Sequence, residues 1–296
     1  MNQKRIKVRA KINLALDVLG KREDGYHEVR MIMQTIDLYD KMEFKLIPNG
    51  IVIHCNHKWV PRDQRNIVYK VAKFLQEEYN IQQGVEIKIH KKIPVSAGLA
   101  GGSANGAGTL KVLNELWDLH LPLKTLMNHG KKIGADIPFC LLGGTALAEG
   151  IGEILHPLPP LPPTWLVLVK PPIYVSTAWA YRNLELNEEK QNSKIDKMIQ
   201  EIKTEDMERI LPHLYNVLES ITIFAHPEIS TIKNRLKQLG AKGVLMSGSG
   251  PTVFGICKDR ESAQNIYTKM KRDYREVFMV KTYNKEDKQY DGNRYE

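Results

Sequence analysis

Apolar residues at every second position mark Ile12-Asn13-Leu14-Ala15-Leu16-Asp17-Val18 as a strand. Val85-Glu86-Ile87-Lys88-Ile89 alternates in the same way. Between them the period lengthens to that of a helix. From Asn66 to Tyr79, the residues Ile67, Val71, Phe74, Leu75 and Glu78 fall on one face, and Leu123 to Ile133 reads as a second helix. Ala107, Leu110, Leu113 and Trp117 recur every three or four positions, predicting a helix across Thr109–Trp117. The run Pro157-Leu158-Pro159-Pro160-Leu161-Pro162-Pro163 admits neither helix nor central strand and reads as a linker or rigid crossing. After it comes a buried strand at Trp165–Val169, then two or three helices between Thr177 and Leu239. Strands at Gly243–Ser247 and Thr252–Cys257, a helix across Ser262–Tyr274 and a strand at Val277–Tyr283 complete a small α+β domain with an antiparallel sheet. The tail from Lys285 to Glu296 is charged and almost free of aliphatic residues, so disorder is expected. Two domains follow, 1–156 and 164–284.

Composition narrows the class. A length of 296 residues suits two domains. No apolar run approaches ~18 residues, so no membrane partner is expected. The basic start from Met1 to Arg9 lacks the apolar segment of a signal peptide, and a cytoplasmic location is expected. Cys55, Cys140 and Cys257 are odd in number and widely spaced, which argues against a disulfide framework. His54, Cys55 and His57 sit in a strand and its turn without a second ligand pair, so they read as structural. The net charge of +9, from 43 basic and 34 acidic side chains, suits small polyanions through electrostatic steering. The basic residues are dispersed and carry no reader motif, so nucleic acid is not an expected partner.

The candidate chemistry starts at Pro94-Val95-Ser96-Ala97-Gly98-Leu99-Ala100-Gly101-Gly102-Ser103-Ala104-Asn105-Gly106-Ala107-Gly108. A predicted strand precedes this segment and a predicted helix follows it. Glycine lets backbone approach a bulky ligand, and the N–H groups of a helix start attract anions. A phosphate is the expected guest. No Gly-Lys-Ser/Thr closes the segment and no G-x-G-x-x-G crosses it, so it is neither a Walker A loop nor a dinucleotide fingerprint. A flexible glycine linker or a tightly packed helix entry is the alternative reading of the residues alone.

Three further segments carry a resemblance. They are Ala10-Lys11-Ile12-Asn13-Leu14 with Asp24-Gly25-Tyr26-His27-Glu28, then Gly134-Ala135-Asp136-Ile137-Pro138-Phe139, then Leu245-Met246-Ser247-Gly248-Ser249-Gly250-Pro251-Thr252. With the glycine segment they resemble the GHMP kinases from Ala10 to about Tyr283. The resemblance implies a two-domain α+β fold. Its N-terminal domain is α/β, like ribosomal protein S5, and its C-terminal domain is ferredoxin-like α+β. It implies ATP and Mg²⁺ as cofactors, with no residue assigned as a metal ligand. The Lys-Ile-Asn and Asp-Gly-Tyr-His segments point to the branch whose acceptor is a cytidine-diphosphate-linked polyol. The implied reaction phosphorylates the 2-hydroxyl of 4-diphosphocytidyl-2-C-methyl-D-erythritol, on the non-mevalonate route to isoprenoids. The chain is expected to act as a monomer or weak homodimer on small molecules.

Residue roles follow from the same resemblance. Asp136 accepts the acceptor's proton, although from position alone it reads rather as a helix or turn cap. Lys11 keeps that carboxylate ionised and stabilises the transferring phosphoryl group. Pro94, Ala97, Gly98, Leu99, Ala100, Gly101, Gly102, Ser103 and Ala104 cradle ATP, with Asn66 and Lys91 lining its adenine side. Tyr26, His27 and Tyr181 receive the cytosine, Asn13 the polyol or its phosphate, and Thr177 with Ser247, Gly248, Ser249 and Gly250 the acceptor and phosphate. The family usually reads Gly-Gly-Ser-Ser-Asp/Asn-Ala-Ala where this chain has Ala104, Gly106 and Gly108. A looser first helical turn and one absent hydroxyl ligand are expected there. An acceptor other than the cytidine compound, or a ligand-binding protein without turnover, remains open at this point.

Overall fold

The computed structural model describes residues 2–185 and 192–284. The tail expected to be disordered, Lys285 to Glu296, lies outside the described residues. Two long strands open the chain, β1 (Gln3–Lys21) and β2 (His27–Ile47). Asp24 shapes the turn between them, its Oδ1 accepting from the Tyr26 N–H at 3.0 Å. Residues 11–18 of β1 are all buried, so this stretch is covered on both faces. Next come β3 (Ile51–Cys55), α1 (Ile67–Glu78) and β4 (Gly84–His90). Then α2 (Gly101–Leu116), α3 (Leu123–Ile133) and α4 (Ile137–Leu142) follow in succession. They are succeeded by β5 (Thr145–Glu149), β6 (Ile154–Pro157) and β7 (Trp165–Lys170).

Between residues 177 and 239 the structure departs from the two or three helices expected. It has α5 (Thr177–Arg182), α6 (Asn192–Ile202), α7 (Met207–Ile210), the two-residue strand β8 (Tyr215–Asn216), α8 (Glu219–Ala225) and α9 (Glu228–Gln238). Pro212 and Pro227 cannot continue a helix and divide this stretch into short pieces. The chain ends with β9 (Gly243–Met246), β10 (Val253–Cys257), α10 (Arg260–Asp273) and β11 (Glu276–Lys281). A capping box between Asp259 and Ser262 starts α10. Among the described residues no helix is long and apolar enough to cross a membrane.

The contacts form two compact units, neither of them one continuous stretch of chain. The first takes residues up to 10, 38–95 and 100–142. In it β2 pairs antiparallel with β4 from Lys41↔His90 to Ile47↔Gly84, and β4 pairs parallel with β3. Met42, Phe44, Ile87 and Ile89 from these strands meet Val71, Leu75, Leu110, Leu113, Ile137 and Leu141 of the helices in one core. The alternate residues of β2 face outward. There Tyr39 gathers cations, with Lys7 Nζ at 4.9 Å, the Arg9 guanidinium at 5.7 Å and Lys92 Nζ at 5.9 Å from its ring centroid.

The second unit takes residues 11–37, 96–99 and 143 onward. One of its sheets is antiparallel, in the order β11-β7-β10-β9, with α9 and α10 packed on it. Elsewhere in this unit β2 pairs with β5 at Met31↔Ala148, β5 pairs with β6, and β1 pairs parallel with β8 at Ala15↔Tyr215 and Leu16↔Asn216. Both flanks of the proline run belong to this unit, and Leu161 within the run is buried.

Candidate active site

In the first unit the site forms around the start of α2. The segment before it bends through left-handed backbone at Ser96 (φ 52°), Gly98 (φ 73°) and Ala100 (φ 54°). For the two non-glycine residues this costs about 1–3 kcal/mol each, and such strain gathers at functional sites. Ala100 is the N-cap of α2 and offers no side-chain bond, so the helix begins with uncapped N–H groups. Gly102 is exposed and Ser103 half-exposed at this end. Uncapped donors and the positive end of the dipole make an anion site.

The helix starts at Gly101, earlier than the Thr109 expected from its apolar face. Only part of the glycine segment is therefore loop. Gly106 and Gly108 are buried inside the helix, where they permit close packing. A Cβ on Gly108 would lie 2.4 Å from Val8 Cγ1, and one on Gly106 would lie 3.1 Å from Ile137 Cδ1. The expectation of a looser first turn is corrected accordingly: both positions are filled by neighbours. Ala104 is sealed in the apolar core.

Asp136 is half-buried in the turn before α4, where its carbonyl accepts from the Cys140 N–H. The next residue, Ile137, packs on Gly106, and Ile67 lies within van der Waals reach of Gly102, Gly106 and Gly134. The Gly134–Asp136 turn, the start of α1 and the start of α2 are thus neighbours. Asn66 caps α1, its Oδ1 accepting from the Val68 N–H at 2.9 Å while its Nδ2 donates to Pro61 O. Lys91 donates to Asp40 Oδ2 and to Asn105 Oδ1, with only 4% of its side chain exposed. Both residues therefore engage their polar side-chain atoms with the protein. Pro94 is buried just before the strained segment.

The second unit assembles another set. Lys11 Nζ donates to Asn13 Oδ1 at 2.8 Å, and Asn13 Nδ2 contacts Met31 Sδ at 3.1 Å. The Lys11 N–H donates to Leu99 O, which ties the Ala97-Gly98-Leu99 stretch, buried at Ala97 and Leu99, to β1. Gly98 lies against the Ser247–Gly250 loop. Ser247 Oγ donates to Gly98 O at 3.0 Å, and a Cβ on Gly98 would sit 2.1 Å from Ser247 O. Only glycine permits this approach. Gly248 (φ 56°) lies over Asn13, whose Oδ1 would be 3.5 Å from a Cβ there. Ser249 Oγ and Thr177 Oγ1 share a hydrogen bond of 2.9 Å.

Thr177 opens α5, and Tyr181 follows one turn later on the same face. The Tyr181 ring meets His27 with centroids 5.3 Å apart and a 36° tilt. Burial, and then the charge of Lys21, hold the His27 imidazole below its usual pKa. The ring is therefore neutral near pH 7, with one nitrogen to donate and one to accept. Tyr26 stands 60% exposed beside it. The loop's Ser247 N–H donates to Thr252 O and its Gly250 N–H to Ser247 O. Among the described residues the N–H groups of Gly248 and Ser249 have no acceptor in the protein. Two adjacent donors at a left-handed bend suit an anion.

The sequence reading missed the residues that hold this loop. Asn216 is buried and donates through Nδ2 to Met246 O at 2.7 Å and Gly248 O at 2.8 Å. Glu219 Oε1 accepts from the Met246 N–H at 2.8 Å and pairs with Lys233 through its other oxygen. Neither residue belongs to a motif or a periodic pattern, so no local signal marks them. Among the described residues no group of three His, Cys, Asp or Glu is placed to hold a metal ion.

Comparison with known proteins gives the same fold and names relatives. Residues 66–144 match the GHMP kinases N terminal domain, and residues 198–276 match the GHMP kinases C terminal domain. A 4-diphosphocytidyl-2-C-methyl-D-erythritol kinase of Geobacillus kaustophilus is 51% identical over 278 residues, covering 93% of this chain and 96% of the relative. One of the same name from Clostridium botulinum is 49% identical over 277 residues, covering 94% and 99%. A crystal structure of 4-(cytidine 5'-diphospho)-2C-methyl-D-erythritol kinase superposes with a TM-score of 0.80 at 29% identity, covering 95% of this chain and 100% of that one. Homoserine kinase from Cytophaga hutchinsonii shares the fold, with a TM-score of 0.77 at 20% identity over 96% and 95%. With near-complete coverage at about half identity, the chain belongs to the GHMP kinases, in the family of 4-diphosphocytidyl-2-C-methyl-D-erythritol kinases.

Proposed function

We propose that this protein transfers the γ-phosphoryl group of ATP to the 2-hydroxyl of 4-diphosphocytidyl-2-C-methyl-D-erythritol, in isoprenoid precursor synthesis. The observation that carries the reading is the linked cluster of Lys11, Asn13, Gly98 and the Ser247–Gly250 loop, extended through Thr177 and Tyr181 to His27. It offers an ammonium, adjacent anion donors and a flat polar ring. A phosphorylated nucleoside with a polyol arm needs those three things.

Phosphoryl transfer asks mainly for positioning and charge stabilisation. The uncapped start of α2, with Gly101, Gly102 and Ser103, receives the triphosphate. Asn66 and Lys91 shape the adenine side from beneath through their bonds within the first unit. The acceptor's diphosphate meets the Gly248 and Ser249 N–H groups. The cytosine stacks against the His27–Tyr181 pair, because rings in contact leave no room for a base between them. Tyr26 closes over its other face. The neutral imidazole of His27 bonds the edge of the base, as flat polar groups do in base recognition. Asp136 takes the proton of the attacking hydroxyl, and Lys11 stabilises negative charge at the transferring group.

The residues on hand also fit a magnesium ion carried by the nucleotide. Such an ion is held largely by phosphate oxygens. The hydroxyl available to it is that of Ser103 at the open turn, since Ala104 is apolar and sealed. When bound, the ion neutralises phosphate charge.

The test is ADP release from ATP with Mg²⁺ and the cytidine acceptor, with Asp136→Asn assayed alongside. ADP release that depends on the acceptor and falls by about 10²-fold or more in the variant supports the reading. Full activity in Asp136→Asn removes the base. Release with homoserine or mevalonate but not the cytidine compound assigns a different acceptor.

A further inference from the structure

We infer that Asn216 is a positioning residue for the acceptor's phosphate-binding loop, with Glu219 as its second anchor. The inference rests on the reading that the Ser247–Gly250 loop holds the acceptor.

A loop that binds an anion through backbone N–H groups must turn its carbonyls away from the ligand. Gly248 O shares its peptide with the Ser249 N–H, and Met246 O belongs to the peptide just before the one that carries the Gly248 N–H. Both carbonyls are held from one side by a single amide, Asn216 Nδ2, at 2.7 and 2.8 Å. An amide nitrogen has two hydrogens, and both are used here. Its oxygen accepts from the Leu218 N–H at 3.0 Å, which fixes which way the amide faces. The side chain is thus fully committed, and it is 4% exposed. Asn216 is itself fixed in β8 by the register Leu16↔Asn216 against β1, the strand that carries Lys11 and Asn13. The ammonium and the loop therefore share one frame. Glu219 holds the Met246 N–H one residue before the loop and is oriented by Lys233. With both anchors in place, rotating the Met246–Gly248 peptides would leave buried polar groups unpaired.

An isosteric change isolates the role. Asn216→Asp keeps the shape but sets a carboxylate against two carbonyl oxygens, so both bonds are lost and the loop is pushed outward. In steady-state assays of the full-length enzyme, the acceptor KM is expected to rise at least about ten-fold. The KM for ATP is expected to rise several-fold less than that for the acceptor, because the loop meets the segment before α2 only at Gly98. Asn216→Ser, which reaches neither carbonyl but adds no charge, serves if the Asp variant does not fold. Ser249→Ala and Gly248→Ala report on the underlying reading. If they leave the acceptor KM unchanged, the loop does not hold the acceptor and that reading falls, taking this inference with it. If they raise it while the Asn216 variants do not, the reading stands and the positioning role is overturned. Parallel rises in both KM values with a lowered Tm would make Asn216 merely structural and would also overturn it.

Discussion

At the scale of single residues, the proposed acceptor side of the site depends on the protonation state of His27 as well as on shape. His27 is held below the ordinary histidine pKa by burial first and by Lys21 second. It therefore gains its proton at a lower pH than an ordinary imidazole. The acceptor KM should then be flat in mildly alkaline solution and rise on acidification with a midpoint below the ordinary histidine pKa of about 6.5. Lys21→Ala removes the repelling charge, so the imidazole pKa should climb and the rise should begin at a higher pH. A pH profile of acceptor KM for both proteins checks this, and identical profiles would detach His27 from recognition. Much of this cluster was legible in the sequence. Lys11 with Asn13 and Ser247 with Gly248 were named there, and the structure brings them into one cluster around Gly98. Asn216 was not legible. A buried Asn that bridges two carbonyls thirty residues away leaves no trace in a local pattern.

At the scale of elements, α2 shows where pattern and packing part company. Helix propensity ranks glycine about 1 kcal/mol below alanine, which delays the expected start of this helix. The structure places Gly106 and Gly108 well inside it, because their missing methyl groups let Ile137 and Val8 approach. Gly108→Ala should therefore destabilise despite its better propensity, by about 1–3 kcal/mol from overpacking against a β-branched neighbour. Gly106→Ala, facing the movable end of Ile137 at 3.1 Å, should be near neutral. Urea denaturation of the two variants separates them, and equal midpoints would refute the packing role of Gly108. Other elements followed directly from periodicity. Helix α3 spans Leu123–Ile133 as expected, and β7, β9, β10 and β11 fall within a residue or two of their predicted limits. The short helices after residue 177 did not, since segments of four to seven residues are too brief to display a period.

At the scale of the whole molecule, net charge bears on how substrates arrive. A surplus of +9 attracts a nucleoside triphosphate and a nucleoside diphosphate alike. Raising ionic strength from 50 to about 500 mM should lower kcat/KM for both substrates while leaving kcat nearly unchanged. Stopped-flow binding or initial rates over a salt series would show it, and a salt-independent kcat/KM would rule steering out. The surplus was plain in the composition. The gathering of Lys7, Arg9 and Lys92 around Tyr39 was not, because residues far apart in the sequence meet there.

The chain passes between its two compact units at residues 10, 37, 95, 99 and 142. Strands β1 and β2 each lend one end to either unit. No single recombination breakpoint can therefore lift one unit out intact and graft it onto another gene. A lineage built this way cannot acquire a new acceptor by exchanging modules. On the function proposed above, its specificity has to drift by point substitution, at positions such as Tyr26, His27 and Tyr181, while the threading stays as inherited.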